Sequence, residues 1–397
     1  MRRRGLLVPL PAAALLLAAA PAMAAPAMAA SAWTVTPSPN PSATGDRLNG
    51  AAARAATDAW AVGQFTAPDA DADGQQMLAA RWDGAQWRQV ATPAVSHQDE
   101  VLSGVSADAA DDAWAVGFTK KVSAAARSPL AVHWNGTAWT SVPVPNTAGG
   151  AKSVFTGVAA LAPDNAWAVG RGLDARALVE HWNGTSWTVA PTPAPPVPAG
   201  WTVAGATLNG VSARSADDIW AVGTVTAIMG VTTQDRTLAM HYDGTSWKIT
   251  PTPTNGTTTV GNQLNAVTAI TPKDVWSVGK VATSNGTTPT QTTVIQHWNG
   301  TVWSSVPAPV RGGFTGVAAR SATDVWAVGD FSDGSGAAGS ILHWNGSAWS
   351  KTAAPDGATG SILTGAAATP GGGDVWASGF DLLGPSDYRT VILRNTP

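Results

Sequence analysis

Asp69-Ala70-Asp71-Ala72-Asp73-Gly74 sets three carboxylates two residues apart, ahead of a glycine. Alternate carboxylates can wrap one hard cation, and the glycine permits a sharp turn, as at the oxygen-rich start of a calcium loop. The glutamate that would close such a loop is missing, because its place is Ala80. Calcium held by Asp69, Asp71 and Asp73 with backbone help is one reading, and a solvated acidic loop is the other. Trp201 follows a proline-rich stretch, residues 191–198. Its flat apolar face suits the C–H face of a pyranose, although the same ring could simply pin that stretch to the protein body. Phe118, Lys120, Lys121 and Tyr388 add aromatic and cationic groups suited to recognising a polar ligand.

Five of the six histidines, His133, His181, His241, His297 and His343, recur at one position of a repeat, with Arg81 and Arg394 at the same position elsewhere. A catalytic centre needs one set of groups rather than a set per repeat. A second recurring position holds Asp58, Asp112, Asn165, Asp218, Asp274, Asp324 and Asp374. The two positions are expected to hydrogen-bond inside each repeat and satisfy buried polar groups. Asp387-Tyr388-Arg389 has the residue types of a tyrosine-using sialidase, but no converging set of arginines accompanies it. The chain lacks G-x-S-x-G, H-E-x-x-H and G-x-x-x-x-G-K, and with no cysteine it has no thiolate chemistry. No catalytic residue is assigned.

The elements that must position these residues follow from the tryptophans. Nineteen of the twenty fall into three slots. The first is a D-x-W-A-V-G phrase at Trp60, Trp114, Trp167, Trp220, Trp276, Trp326 and Trp376, spaced 54, 53, 53, 56, 50 and 50 residues apart. The second is an H-W-N-G phrase around Trp82, Trp134, Trp182, Trp298 and Trp344, with Tyr242 standing in once. The third holds Trp87, Trp139, Trp187, Trp247, Trp303 and Trp349. A period near fifty residues marks a repeat architecture. Each unit reads as four short strands, and Asn-Gly or Asp-Gly between the last two predicts a type I′ hairpin turn. Four antiparallel strands repeated around an axis describe an all-β propeller.

The last unit ends at Pro397 without its third-slot tryptophan, whereas Trp33 precedes the first unit. The strand around Trp33 is therefore expected to complete the last sheet, giving a seven-bladed β-propeller closed by its N-terminal strand. Without it that sheet would present an unpaired edge. Large and small residues alternate along the strands: Leu130, Val132 and Trp134 share one face, and Trp114 and Val116 oppose Ala113 and Ala115. Large faces are expected to pack on a neighbour's small face.

Met1-Arg2-Arg3-Arg4, an apolar run to Ala20 and A-x-A sites at Ala22–Ala24 and Ala27–Ala29 read as a secretory signal peptide over residues 1–30. The propeller then occupies 31–397, in a secreted, extracellular protein with no later membrane span. A net charge of −3 gives no argument for nucleic acid. Asn-Gly-Thr/Ser triplets such as Asn135, Asn183, Asn299 and Asn345 match glycosylation acceptors but are read as turn chemistry.

Strand direction alternates, so the second-to-third and unit-to-unit connections share one face. These vary, and residues 64–77, 118–129, 171–176, 224–237, 280–293, 330–340 and 380–389 form the candidate binding surface. The phrase V-S-A-x-x-x-D-x-W-A-V-G…H-W-N-G-T-x-W resembles the repeats of secreted actinobacterial-type propellers, and it is similar to the tectonin repeat. Tectonin-like membership implies carbohydrate or cell-surface binding. The expected function is a monomeric, non-catalytic binding propeller for glycans or cell-wall material. A glycan-acting hydrolase or lyase and a protein-binding scaffold stand as alternatives, since one fold hosts all three.

Overall fold

The computed structural model describes residues 33–66, 74–93, 98–121, 127–145, 153–172, 176–253, 261–284, 289–332, 337–355, 360–384 and 387–397. The chain divides into two compact units, Met1–Ser31 and Ala32–Pro397; the first, with the expected signal peptide, lies outside the described residues. Every described element of the second is a β-strand.

The first repeat shows the plan. β2 (Arg47–Ala55), β3 (Asp58–Thr66), β4 (Gln75–Trp82) and β5 (Trp87–Val90) form one antiparallel sheet in chain order. β6 (Gln98–Ala109), β7 (Asp112–Lys121), β8 (Arg127–Trp134) and β9 (Trp139–Val142) repeat it, as do β18 to β21 (from Asn262 to Ser305) and β22 to β25 (from Gly313 to Thr352). β10 (Val154–Ala162), β11 (Asn165–Arg171), β12 (Ala177–Trp182) and β13 (Trp187–Val189) join β14 (Thr202–Ser215), β15 (Asp218–Met229), β16 (Thr232–Tyr242) and β17 (Trp247–Ile249) in one eight-stranded sheet. Among the described residues, the only ladder pair linking those two sets is Arg171 with Thr207.

β26 (Ser361–Ala368), β27 (Val375–Leu382) and β28 (Tyr388–Asn395) take β1 (Trp33–Thr36) as their fourth strand. Trp33 lies opposite Asn395, and Thr36 opposite Ile392. The two ends of the chain therefore meet in one sheet, as the displaced tryptophan predicts. Further lacing follows β1. The Thr390 N–H donates to Asn40 Oδ1 at 2.8 Å, and Arg389 donates to the carbonyls of Ser42 and Ala43 at 2.8 and 2.7 Å.

Tryptophan size explains how the sheets lock together. Trp60, Trp114, Trp220, Trp276 and Trp376 are wholly buried. Each first-slot tryptophan meets the third-slot ring of the next repeat edge-on, as in Trp60–Trp139, Trp114–Trp187 and Trp376–Trp87, with centroids 4.9–5.2 Å apart. Trp33 makes the same edge contact with Trp326 at 5.3 Å. Such pairs are worth about 0.5–1.5 kcal/mol beyond their area burial. Opposite these rings the next repeat offers alanines: Trp114 and Val116 share a cluster with Ala166 and Ala168. Second-slot indoles also hold their own first turn. Trp82, Trp134 and Trp182 donate Nε1–H to the carbonyls of Ala56, Ala110 and Pro163 at 2.9–3.2 Å.

The innermost strands carry a device that the sequence reading missed. Each has a β-bulge after its leucine or phenylalanine, at Leu48/Gly50, Leu102/Gly104, Phe155/Gly157 and the equivalent places. At six of the bulges, the polar residue carried there donates to the next repeat's backbone. Asn49 donates to the Leu102 carbonyl, Thr156 to Leu208, Asn209 to Leu264, Asn265 to Phe314 and Thr315 to Leu363, at 2.5–2.8 Å. Thr364 then donates to the Leu48 carbonyl at 2.6 Å, tying the last repeat to the first. The bulge also explains the glycine of W-A-V-G. A Cβ at Gly63 would lie 2.0 Å from the Arg47 carbonyl oxygen, and at Gly117 1.9 Å from that of Val101.

The Asn-Gly hairpins depart from the expected two-residue turn. Trp134 pairs with Trp139, so four residues separate the strands. Asn135 Oδ1 accepts the N–H groups of Thr137 and Ala138 at 3.0 Å, and Gly136 takes a φ of 91°. Asn183, Asp243, Asn299 and Asn345 repeat this cap. An Asx cap closes the loop where a type I′ turn was expected.

Candidate ligand-binding face

Because the strands alternate, the first-to-second and third-to-fourth turns share one face, and the varied connections share the other. The tight-turn face is self-satisfied. His133, His241, His297 and His343 bond Asp112, Asp218, Asp274 and Asp324 at 2.5–3.0 Å, and His181 bonds Asn165 at 3.0 Å. Arg81 donates to Asp58 at 2.9 Å, and Arg394 to Asp374 at 2.7 Å. The expected pairing of the two slots is present throughout. Each histidine also lies against its own first-slot indole, with centroids 4.1–4.5 Å apart. Arg81 and Arg394 place guanidinium groups 5.1 and 5.2 Å from Trp60 and Trp376. These are structural groups.

Two acids break the pattern. Arg54 and Arg214 precede and pair with Asp58 and Asp218 at 2.7 and 2.8 Å, but the matching residue in the second repeat is Asp108. Burial, then the hydrogen bond and charge of Asp112, push Asp108 up to about 6. Glu180 on β12 is fully buried with neither carboxylate oxygen partnered, and burial pushes it up to about 8. Neither acid lies on the varied connections.

On the varied face, the candidate residues separate. Phe118 and Lys120 lie on β7, not in a loop, because the β7–β8 ladder continues to the pair Lys120–Arg127. The Arg127 guanidinium sits 4.4 Å over the Phe118 ring, and Lys120 Nζ lies 3.5 Å from Asp99. Lys121 ends β7, and its side chain lies outside the described residues, as do Asp69, Asp71 and Asp73. Among the described residues no group of three or more His, Cys, Asp or Glu side chains is placed to hold a metal. Trp201 is half-buried just before β14, in a turn closed by its N–H to the Pro198 carbonyl at 3.0 Å.

Tyr388 begins β28 and lies under the Arg47 guanidinium at 3.6 Å, with Phe380 edge-on at 5.5 Å. This arginine–aromatic stack was not foreseen. Arg47 opens β2 and Tyr388 is distant in sequence, so only the meeting of the chain's ends joins them. Arg389 faces the buried Asp46 at 3.6 Å while tying down Ser42 and Ala43. Burial raises Asp46 above the usual carboxylate range despite its bonds from Ser42. Arg389 is thus engaged in chain closure, and the sialidase-like triplet is structural in this respect. Phe118 and Lys120 share β7, whereas Trp201 precedes β14 and Tyr388 begins β28, in two other sheets, so the four form no single cluster.

The segment 224–237, expected to be a varied loop, is mostly strand. β15 and β16 pair continuously to Met229–Thr232, leaving Gly230 and Val231 as the turn. Residues 118–129 likewise contain the ends of two strands.

No protein-family model and no curated protein sequence matches this chain. Solved structures do. YCF48 bound to D1 peptide aligns at a TM-score of 0.57 and 15% identity, over 94% of this chain and 99% of the other. An ulvan lyase of polysaccharide-lyase family PL25, bound to a GlcA-containing saccharide, aligns at 0.53 and 8%, over 87% and 94%. The WD40 repeats of RRP9 align at 0.50 and 8%, over 92% and 97%. At these identities the likeness is one of fold, and the chain has a propeller-type β architecture.

Proposed function

We propose that this chain is a seven-bladed, secreted binding propeller that recognises glycans or cell-wall material through its varied face. The observation that carries the reading is the contrast between faces. One face spends its polar groups on repeated internal pairs such as His241–Asp218. The other differs in every unit and presents Trp201, Phe118, Lys120 and the Arg47–Tyr388 stack. Varied connections on a rigid repeat scaffold are where recognition concentrates. The proposal takes the protein as a monomer with tectonin-like repeats, and with Asp69, Asp71 and Asp73 as the calcium ligands if binding needs the ion. Neighbours of the same fold that bind a peptide or a saccharide are consistent with either a binding module or a glycan-acting enzyme.

A glycan array probed with and without EDTA tests the reading. Trp201→Ala is expected to weaken binding while far-ultraviolet circular dichroism stays unchanged, and Asp71→Asn to abolish any calcium dependence. Cleavage of an array glycan would favour a hydrolase or lyase. Protection from hydrogen exchange confined to the turns at Asn135, Asn183 and Asn299 would place the ligand on the opposite face and refute the proposal.

A further inference from the structure

Four of the seven large apolar side chains left exposed among the described residues sit at two hairpin tips: Met229, Val231, Leu382 and Leu383. Both hairpins join a second strand to a third, so both tips leave the varied face. Two whole sheets lie between them in chain order.

The first tip is built by lengthening. β14, β15 and β16 run for 14, 12 and 11 residues, against 9, 9 and 8 for β2, β3 and β4. Thr202 pairs with Ile228, which brings Trp201 level with the tip. A Cβ on Gly200 would lie 4.0 Å from Met229 Sδ, so the turn before Trp201 also borders it. Val231 is 102% exposed and Met229 47%. No charged residue occurs in 199–213 or 224–234. The first charge is Asp235, which pairs with Thr226, three residue pairs below the end of the ladder. At the rise of a strand that leaves about 10 Å of uncharged projection. The second tip follows Leu382–Tyr388, the last pair of β27 and β28, and the Leu383 N–H closes it onto the Asp387 carbonyl at 2.9 Å.

A ligand held in one pocket cannot touch both tips, whereas a flat surface can. Convex apolar ends suit insertion, and interfacial elements bury their apolar parts about 5–10 Å into the headgroup–acyl boundary. Tryptophan favours the same boundary. We propose that the varied face seats on a lipid bilayer through Met229 and Val231 at one tip and Leu382 and Leu383 at the other. The first tip is uncharged, and the one acid of the second, Asp387, lies 3.9 Å from Arg389, so neither tip carries a net charge to draw an anionic headgroup and the surface they fit is zwitterionic. This goes beyond glycan recognition and does not depend on it.

The test is flotation of residues 32–397, a compact unit in its own right, with phosphatidylcholine vesicles. The protein is expected to float with pure phosphatidylcholine, with little change between low and high salt. Met229→Asp with Val231→Asp should lower the bound fraction about tenfold, and Leu382→Asp with Leu383→Asp by a similar factor, from the apolar area lost. Melting temperature should not change. Val231→Ser alone, at a wholly exposed position, guards against a folding defect and should lower binding by about two- to threefold. Failure to float, equal flotation of all variants, or binding only when phosphatidylglycerol is added would overturn the proposal. So would tip variants that lose a protein partner while keeping vesicle binding.

Discussion

Replacing Glu180 with glutamine should make the protein more stable, by an amount that grows with pH. Glu180 occupies a slot that is Ala80, Val132, Met240, Leu342 and Leu393 in other repeats. Gln296 holds the same slot once and donates Nε2–H to the Pro253 carbonyl at 3.2 Å. An amide is therefore accommodated there. Burial raises the Glu180 carboxyl from about 4.5 to about 8, so the folded protein holds this proton while the unfolded chain has lost it. The stability of the neutral form is fully present below about pH 4.5 and is lost as pH rises toward 8.

Inside that window the unfolded chain binds one proton fewer than the fold. Stability then falls by about 1.4 kcal/mol per pH unit from this group alone. Between pH 5 and pH 7 the wild type should lose about 2–3 kcal/mol relative to Glu180→Gln. Urea unfolding of both proteins at pH 5, 6 and 7 measures it, and other carboxylates cancel in the difference. Glu180→Leu should show the same pH dependence of the gap. A gap that stays flat from pH 5 to pH 7 would mean that Glu180 is already ionised and partnered in the fold, and the reasoning would fail.

Trp33→Ala should cost about 3–5 kcal/mol, as for a buried aromatic, since it removes the edge contact with Trp326. If a chain starting at Asn40 keeps its full melting temperature, the closing role of β1 is wrong. His133→Ala should cost about 1–3 kcal/mol, because it takes from the buried Asp112 carboxylate its 2.5 Å bond to the imidazole. His181→Ala should cost less, since Asn165 Oδ1 still accepts the Trp167 Nε1–H at 3.1 Å; equal losses in thermal unfolding would contradict this. Asp108→Arg should stabilise by about 0.5–1 kcal/mol by restoring the pair that Arg54 makes with Asp58, with a larger gain above pH 6 than below it. A variant no more stable than wild type at pH 7 would show that the like charge is not felt.

The scaffold was legible because its main signals are large and repeated. A tryptophan every fifty residues reports a buried contact wherever it occurs, and the out-of-order Trp33 carried the closure with it. Alternation of Trp and Val with Ala reported which face packs on which, and the His–Asp slots reported a pair. The bulge residues were equally visible, as a polar residue between Leu48 and Gly50 and at each equivalent place. What they do was not, because the carbonyl accepting from Asn49 belongs to Leu102, fifty-three residues on. The Asn-Gly turns were misjudged for a related reason. The dipeptide signals a hairpin, but loop length is set by where Trp134 and Trp139 pair.

Binding residues on the varied face carry no such periodicity, and that is a physical limit. A side chain found in every unit has to serve what every unit shares, which is the contact between neighbouring sheets. One that serves a ligand need occur only once, so its sequence signal is no larger than that of any surface residue. Trp201 and Tyr388 could be noticed only as aromatics out of register. Arg47 could not be noticed at all, since its stack on Tyr388 exists only after the ends of the chain have met. The Met229–Val231 tip was hidden differently. Its alternating Thr, Val and Ala residues read as a varied connection between strands, when they are the strands themselves, carried about 10 Å past the last charge.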